Sequence, residues 1–356
     1  MRFCFLQFGM SGYNNACLQA LHEHGNEILN VYPPSSAGYA FGSENFTSYG
    51  RTLTWEGSPD QAALDAAVAE FDPEVVVMVS WAQPEYRAVM KRMRGKALRI
   101  LVSTNIWESR PKQWLGRATH RFYLDPLYDA VFVPGDRSEW FARRLGFSGA
   151  QVIRGSNTAD VDVFDRGPRD ATELAAARRF LFAGRLMPYK GVDVLAEAYR
   201  RYRDSVEDPW DLDVGGCGAL ADTLEAIPGV RMHGFVTPGE LSDLMQSTTC
   251  LVLPSYIDFF GVVVHEAALS GQVLLCSDGV GATPYLLQDG YNGWTIPAGD
   301  ARALADLLGR VHGLKPDELH AMSTGSRGLA ARFSPRQWAA HLTDEATRRR
   351  ALLGLR

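Results

Sequence analysis

No stretch of this chain is apolar over the length needed to cross a bilayer. It has no low-complexity tract and no repeat of fixed period. The apolar run Phe3–Phe8 is too short for a signal-peptide core and lacks a cleavage-type tail. Cysteine is scarce: Cys4, Cys17, Cys217, Cys250 and Cys276 are all there are in 356 residues, and none forms a C-x-x-C pair. An odd, scattered set argues against a disulfide framework or a zinc site. Cys4, Cys250 and Cys276 lie in strand-like apolar runs, as small core residues do in a reducing compartment. A cytoplasmic protein is therefore expected. Neither sign of charge dominates. The net charge is −5, which gives no general attraction to nucleic acid.

What the chain does have is the composition of a soluble globular protein, 46% hydrophobic and 22% charged, at a length that suits two domains. Apolar runs alternate with helical patterns, which predicts doubly wound parallel sheets. In the first half, strands are expected over Arg2–Phe8, Glu27–Tyr32, Glu74–Ser80, Leu98–Ser103 and Ala130–Pro134. Helices are expected over Asn14–His24, Pro59–Glu70 and Pro84–Arg94, and over Ser138–Leu145 with Ser138 as its cap. The loop around Gly12 is neither a G-x-G-x-x-G fingerprint nor a Walker loop, but a glycine there lets backbone approach a ligand. The stretch from Pro33 to Arg51 lacks helical periodicity, as long functional loops and disordered segments both do.

The loop after Leu98–Ser103 lies at a strand's carboxyl end, where ligands gather in such sheets. Asn105 there either hydrogen-bonds a sugar or shapes a turn. Trp107 either stacks on a sugar ring or fills the core, and Glu108 is the nearest acid to assist an acceptor. Arg87, Lys91, Arg92, Arg94, Lys96 and Arg99 form a basic cluster, followed by Arg110, Lys112, Arg117 and Arg121 around Trp114. It reads as a solvated helix face, or as a surface for anionic lipid or a phosphorylated acceptor.

The second half is organised around residues 251–277. An apolar strand ends at Pro254, a loop carries Asp258, Phe259 and Phe260, and Gly261 opens a helix that bears Glu266 about one and a half turns in. A helix N-terminus receives an anion such as a diphosphate. A carboxylate accepts two hydrogen bonds at once, so either acid suits a vicinal diol. Upstream, the phrase GRLMPYKG places Arg185 and Lys190 between a strand and a helix. Arginine offers a forked contact and lysine a mobile point charge, both suited to a diphosphate. Thr237 with Glu240 makes a capping box. Gly279–Thr283 is a glycine turn able to offer backbone N–H groups to a phosphate. Asp160-Val-Asp162 and Asp211-Leu-Asp213 match the D-x-D spacing of metal sites, but one sits at a linker and the other on a strand, so no metal is assigned.

Asp258-FFGVVVH-Glu266 resembles the acid-x7-acid signature of retaining GT-B glycosyltransferases of the family-4 group (glycosyl transferases group 1). The usual first acid is Glu, so Asp258 is one methylene shorter. The Arg185–Lys190 phrase, the Gly215–Gly218 turn, Asn157–Phe164 and SDGVGATPYLLQDGYNGW continue the likeness. It spans nearly the whole chain and is most specific from Phe180 to Trp294. It implies two Rossmann-like domains facing a cleft: an acceptor-binding domain over 1–165, with a terminal helix from Pro335 returning to it, and a nucleotide-sugar-binding domain over 171–334. The linker is expected over Asp165–Asp170.

The resemblance also implies the activity. A sugar passes with retention from a nucleoside diphosphate sugar (UDP, GDP or another base) to a hydroxyl acceptor, without a cofactor. Arg185 and Lys190 would neutralise the diphosphate, Glu266 would hold the ribose and Asp258 the donor sugar. In this family a histidine commonly occupies the place of Asn105 and touches the donor sugar. Gly12, Phe235, Val236, Phe260, Gly261 and Val262 would complete the donor site. The acceptor would be a sugar, a lipid-linked or a small molecule; the basic cluster, and not the resemblance, leaves room for peripheral contact at the inner face of a membrane. A pseudo-glycosyltransferase or nucleotide-sugar epimerase on the same fold, or a non-catalytic nucleotide-sugar sensor, is the alternative.

Overall fold

Apolar runs buried on both faces are what parallel strands require, and they form the centres of two parallel sheets. The computed structural model describes residues 1–33, 49–55, 60–79 and 83–355. Most of the loop 33–51, and the ends of two expected elements at Pro59 and Ser80, lie outside the described residues. The chain divides into two units, Met1–Thr158 with Ser334–Arg356, and Ala159–Phe333.

The first unit carries β1 (Arg2–Leu6), β2 (Glu27–Val31), β3 (Arg51–Leu53), β4 (Val75–Met78), β5 (Leu98–Val102), β6 (Ala130–Val133) and β7 (Val152–Arg154). Their order is β3-β2-β1-β4-β5-β6-β7, with every pair parallel. Successive strand residues point to opposite faces. Phe3 and Phe5 therefore pack with Leu21, Trp338 and Leu342 on one side, while Cys4 and Leu6 join Tyr86, Tyr128 and Phe141 on the other. The terminal helix Pro335–Leu352 is part of this unit and packs against helix Gly12–Glu23.

The second unit carries β8 (Phe180–Ala183), β9 (Leu212–Gly215), β10 (Val230–Gly234), β11 (Cys250–Leu253), β12 (Val273–Ser277) and β13 (Gly293–Ile296). All are parallel, in the order β10-β9-β8-β11-β12-β13. The chain starts at β8, runs outward through β9 and β10, then returns to β11 on the other side. The carboxyl ends of β8 and β11 therefore flank the topological switch point, where open α/β sheets bind ligands.

Two expectations need correction. The division between units falls at Thr158/Ala159, because residues 159–170 are tied into the second unit. Ala159 and Phe164 are in its core, Asp165 pairs with Arg327 at 2.7 Å, and Arg169 donates to the carbonyls of Met245 and Thr248 at 3.2 and 2.7 Å. Ser138 does not cap its helix. That helix begins at Asp136 with Gly135 as N-cap, and Ser138 is buried within it. The Thr237–Glu240 capping box is present, with Glu240 N–H donating to Thr237 Oγ1 at 3.3 Å. No helix among the described residues is long and apolar enough to cross a membrane.

Candidate active site

Two loops at the switch point are held together by close backbone approach. After β8, the segment from Gly184 leads through a short 3-10 turn at Pro188–Lys190 into helix Val192–Ser205. Gly191 lies there at φ 69°, and a Cβ on it would come within 2.1 Å of the Pro254 carbonyl oxygen at the end of β11. Only glycine permits that contact. The Ile257 N–H also donates to the Tyr189 carbonyl at 3.2 Å. The two loops are thus locked, and Lys190 meets Asp258 at 2.5 Å, both side chains largely buried. Arg185 lies nearby and exposed, with its guanidinium carbon 5.8 Å from the Tyr189 ring centroid. Lys190 Nζ stands 5.8 Å from the same ring.

The Asp258 loop is braced from the other side by the Gly279–Thr283 turn. Asp258 N–H donates to Gly279, and Gly281 N–H to Asp258, each at 3.0 Å. Ala282 N–H donates to Phe260 at 2.7 Å. Of the turn's N–H groups expected to meet a phosphate, those of Gly281 and Ala282 are instead committed to that brace. Gly261 (φ 82°) then opens helix Val262–Leu269, which has no side-chain cap. Its first N–H groups lack intrahelical partners and carry partial positive charge beside Asp258. The buried hydroxyls of Tyr189 and Ser255 have no hydrogen-bond partner among the described residues.

Along this helix His265 and Glu266 serve different ends. Burial lowers the His265 imidazole to about 4, so it is neutral. Its Nδ1 accepts from Ala159 N–H at 2.9 Å, and its Nε2–H donates to the Ala330 carbonyl at 3.1 Å. Its role is to anchor the start of the unit. Burial raises the Glu266 carboxyl to about 8, and the nearby charge of Asp160 adds to the rise. The Asp160 carboxyl is itself raised by burial. Asp160 caps the short helix Val161–Phe164 through Asp162 N–H at 3.1 Å. Its influence on Glu266 is a tertiary effect that no local pattern announces. Of the other D-x-D triplet, Asp213 is buried between Arg179 and His233 at 2.5 and 2.6 Å, and Asp211 pairs with Arg231 at 2.5 Å.

The second unit therefore brings Arg185, Lys190, Asp258, Phe260, Gly261, Val262 and Glu266 onto two neighbouring loops and one helix. Phe235 is exposed in the loop after β10, and Val236 packs towards Gly215. Gly12, Asn105, Trp107 and Glu108 belong to the first unit. Gly12 is the first residue of a helix capped by Ser11. Asn105 is exposed, and its Nδ2 donates to Ser103 Oγ at 3.4 Å. Glu108 pairs with Arg110 at 2.7 Å. Trp107 proves to be a core residue, packed edge-on against Trp114 and beside Phe141, so its ring is not presented for stacking on a sugar. The same unit holds a cavity of about 140 Å³ at the carboxyl ends of β1, β4 and β5, lined by Gln7, Asn14, Thr104, Asn157 and Trp338 among others.

Residues 169–326 match the family model of glycosyl transferases group 1. The second unit is a glycosyl transferases group 1 domain. Sequence relatives of the chain include the D-inositol 3-phosphate glycosyltransferase of Streptomyces bingchenggensis, 30% identical over 46% of this chain and 39% of the relative. They also include the phosphatidyl-myo-inositol mannosyltransferase of Mycobacterium leprae, 30% identical over 48% of this chain and 46% of the relative. The match thus takes in less than half the length of either. Among solved structures, Anabaena HepE in complex with UDP and glucose superposes over 97% of this chain and 98% of its own (TM-score 0.72, 16% identity). Sucrose-phosphate synthase from Thermosynechococcus elongatus does so over 97% and 98% (TM-score 0.74, 16% identity). The fold is GT-B, with the group 1 domain as its second Rossmann-like unit.

Proposed function

We propose that the protein is a retaining glycosyltransferase that moves a hexosyl group from a nucleoside diphosphate sugar to a hydroxyl acceptor. The observation that carries this reading is the Lys190–Asp258 pair, held at the switch point of the group 1 domain beside an uncapped helix N-terminus. The UDP complex of the structural neighbour HepE supports a nucleoside diphosphate as ligand. In the reaction the glycosidic carbon–oxygen bond to the diphosphate breaks, and the acceptor oxygen bonds the same carbon from the same face. The acceptor proton passes to a diphosphate oxygen. Arg185, Lys190 and the helix N-terminus stabilise the charge that develops on the leaving group. Glu266 accepts the ribose hydroxyls. Asp258 holds sugar hydroxyls and, through its pairing, sets where Lys190 stands. A panel of nucleotide sugars, screened by thermal shift and then by product analysis with and without acceptor, tests the reading. Epimerised donor in place of a new glycoside would refute it.

Two further expectations follow. The cationic side chains take the place of an ion at the diphosphate, so activity should persist in EDTA at the untreated rate. A loss that Mn²⁺ or Mg²⁺ restores would show that an ion is needed. The acceptor is assigned to the first unit, at the cavity beside Thr104. Filling it with Thr104→Phe should raise the acceptor KM at least about tenfold, the effect of a few lost contacts, and leave the thermal shift by nucleoside diphosphate unchanged.

A further inference from the structure

We infer that the outward face of helix Pro111–Tyr123 docks this protein on a bilayer of anionic lipid. The helix exposes apolar side chains where a surface helix normally hides them. Trp114, Leu115, Phe122 and Tyr123 are 48%, 64%, 81% and 49% exposed, and Trp140 on the neighbouring helix Asp136–Leu145 is 52% exposed. These are five of the eleven exposed large apolar side chains among the described residues, gathered on two adjoining helices.

The arrangement is ordered. At about 100° per residue, Trp114, Ala118, Phe122 and Leu115 fall within roughly 100° of arc. The side opposite them is the one that packs on the protein. His120 is buried edge-on against Phe147 with centroids 4.7 Å apart, and a Cβ on Gly116 would lie 3.1 Å from Leu145 Cδ1. Arg117 and Arg121 border the apolar stripe on one side and Lys112 on the other. From Arg110 to Tyr123 the chain carries four Lys or Arg and no Asp or Glu, in a protein whose net charge is −5. On the adjoining helix Arg144 lies over the Trp140 ring, 4.5 Å from its centroid.

An apolar stripe bordered by cations, with tryptophan and tyrosine at its margins, matches an anionic lipid interface, where the stripe enters the acyl boundary and the cations meet headgroups. A second copy of the chain docked on this face would set cation against cation. The surface is a convex helix face and not a groove, so it offers a protein partner no pocket for an anchor.

Sedimentation of the full chain with vesicles tests the inference, comparing phosphatidylcholine alone with phosphatidylcholine mixed with phosphatidylglycerol. The wild type should bind the mixed vesicles and leave the neutral ones largely unbound, with binding weakened by salt. Leu115→Ser with Phe122→Ser, and separately Lys112→Glu with Arg121→Glu, should each lower partition at least about tenfold. Their thermal midpoints and their response to nucleoside diphosphate should not change. Equal binding to both vesicle types, or paired variants that bind as the wild type does, would overturn the proposal. So would a dimer that Leu115→Ser with Phe122→Ser abolishes in light scattering, coupled with no vesicle binding, since the occupant would then be a second copy.

Discussion

Lys190→Ala should lower kcat/KM by about two powers of ten or more, as loss of a positioned charge at a developing anion does. Arg185→Ala should cost a similar factor. The two cations differ in setting. Arg185 is exposed, whereas Lys190 is enclosed and paired with Asp258 at 2.5 Å. Removing Lys190 therefore leaves a largely buried carboxylate beside the incoming diphosphate, and the variant carries repulsion as well as lost attraction. Asp258→Asn, in contrast, releases Lys190 to the phosphates. It should leave affinity for nucleoside diphosphate unweakened while turnover falls and choice among donor sugars blurs. Groups in direct contact do not act additively, so the Lys190→Ala, Asp258→Asn double variant should bind nucleoside diphosphate better than Lys190→Ala alone. Calorimetry on the three variants, beside rates with several donors, decides this. Near wild-type kcat/KM in both Lys190→Ala and Arg185→Ala would place the diphosphate elsewhere.

Glu266→Gln should abolish most nucleoside diphosphate affinity and, at alkaline pH, stabilise the unliganded protein. Both effects come from the same carboxyl, which desolvation raises to about 8. As a carboxylate it would accept two ribose hydroxyls in charge-assisted bonds, each worth roughly 1.5–3 kcal/mol. In the free protein at neutral pH it is mostly protonated, so binding must expel a proton. Affinity should rise about tenfold per pH unit below about 8 and level off above it. Asp160→Asn, which keeps a good helix cap, removes a neighbouring negative charge and should move that break to lower pH.

The stability sign is the opposite. The folded state holds this proton more tightly than the unfolded chain, whose carboxyl titrates near 4.5. The stabilisation is full below 4.5 and is lost as pH rises through about 8. The wild type should therefore lose on the order of a few kcal/mol across that window, while Glu266→Gln should not. Proton release measured by calorimetry in buffers of different ionisation heat, and melts from acid to alkaline pH, test the two halves separately. A Kd independent of pH would mean that Glu266 does not hold the ligand as a carboxylate.

The central strands were legible in the sequence because strands buried on both faces are continuous apolar runs, as in Phe180–Ala183 and Cys250–Leu253. The helix around Glu266 and the capping box at Thr237 were legible because caps and glycine stops act within a few residues. Arg51–Leu53, Val152–Arg154 and Gly293–Ile296 were not read as strands. Each lies at a sheet edge, where one neighbour is missing and a short, mixed sequence suffices. Helix Pro111–Tyr123 escaped notice as an element because its apolar residues face outward, so its pattern does not mark a core.

The residues of the candidate site were named by the sequence, but their relations were not. Lys190 and Asp258 are 68 positions apart and meet because Gly191 lets one loop close on Pro254. The charge of Asp160 reaches Glu266 because the His265–Ala159 hydrogen bond ties the neighbours of the two acids together. Trp107 looked equally suited to a sugar or a core until packing placed Trp114 and Phe141 against it. Sequence determines which groups are present and the local backbone that carries them. Charge pairing, enclosure and the resulting proton affinities depend on distances between segments far apart in the chain, and those the tertiary structure alone decided.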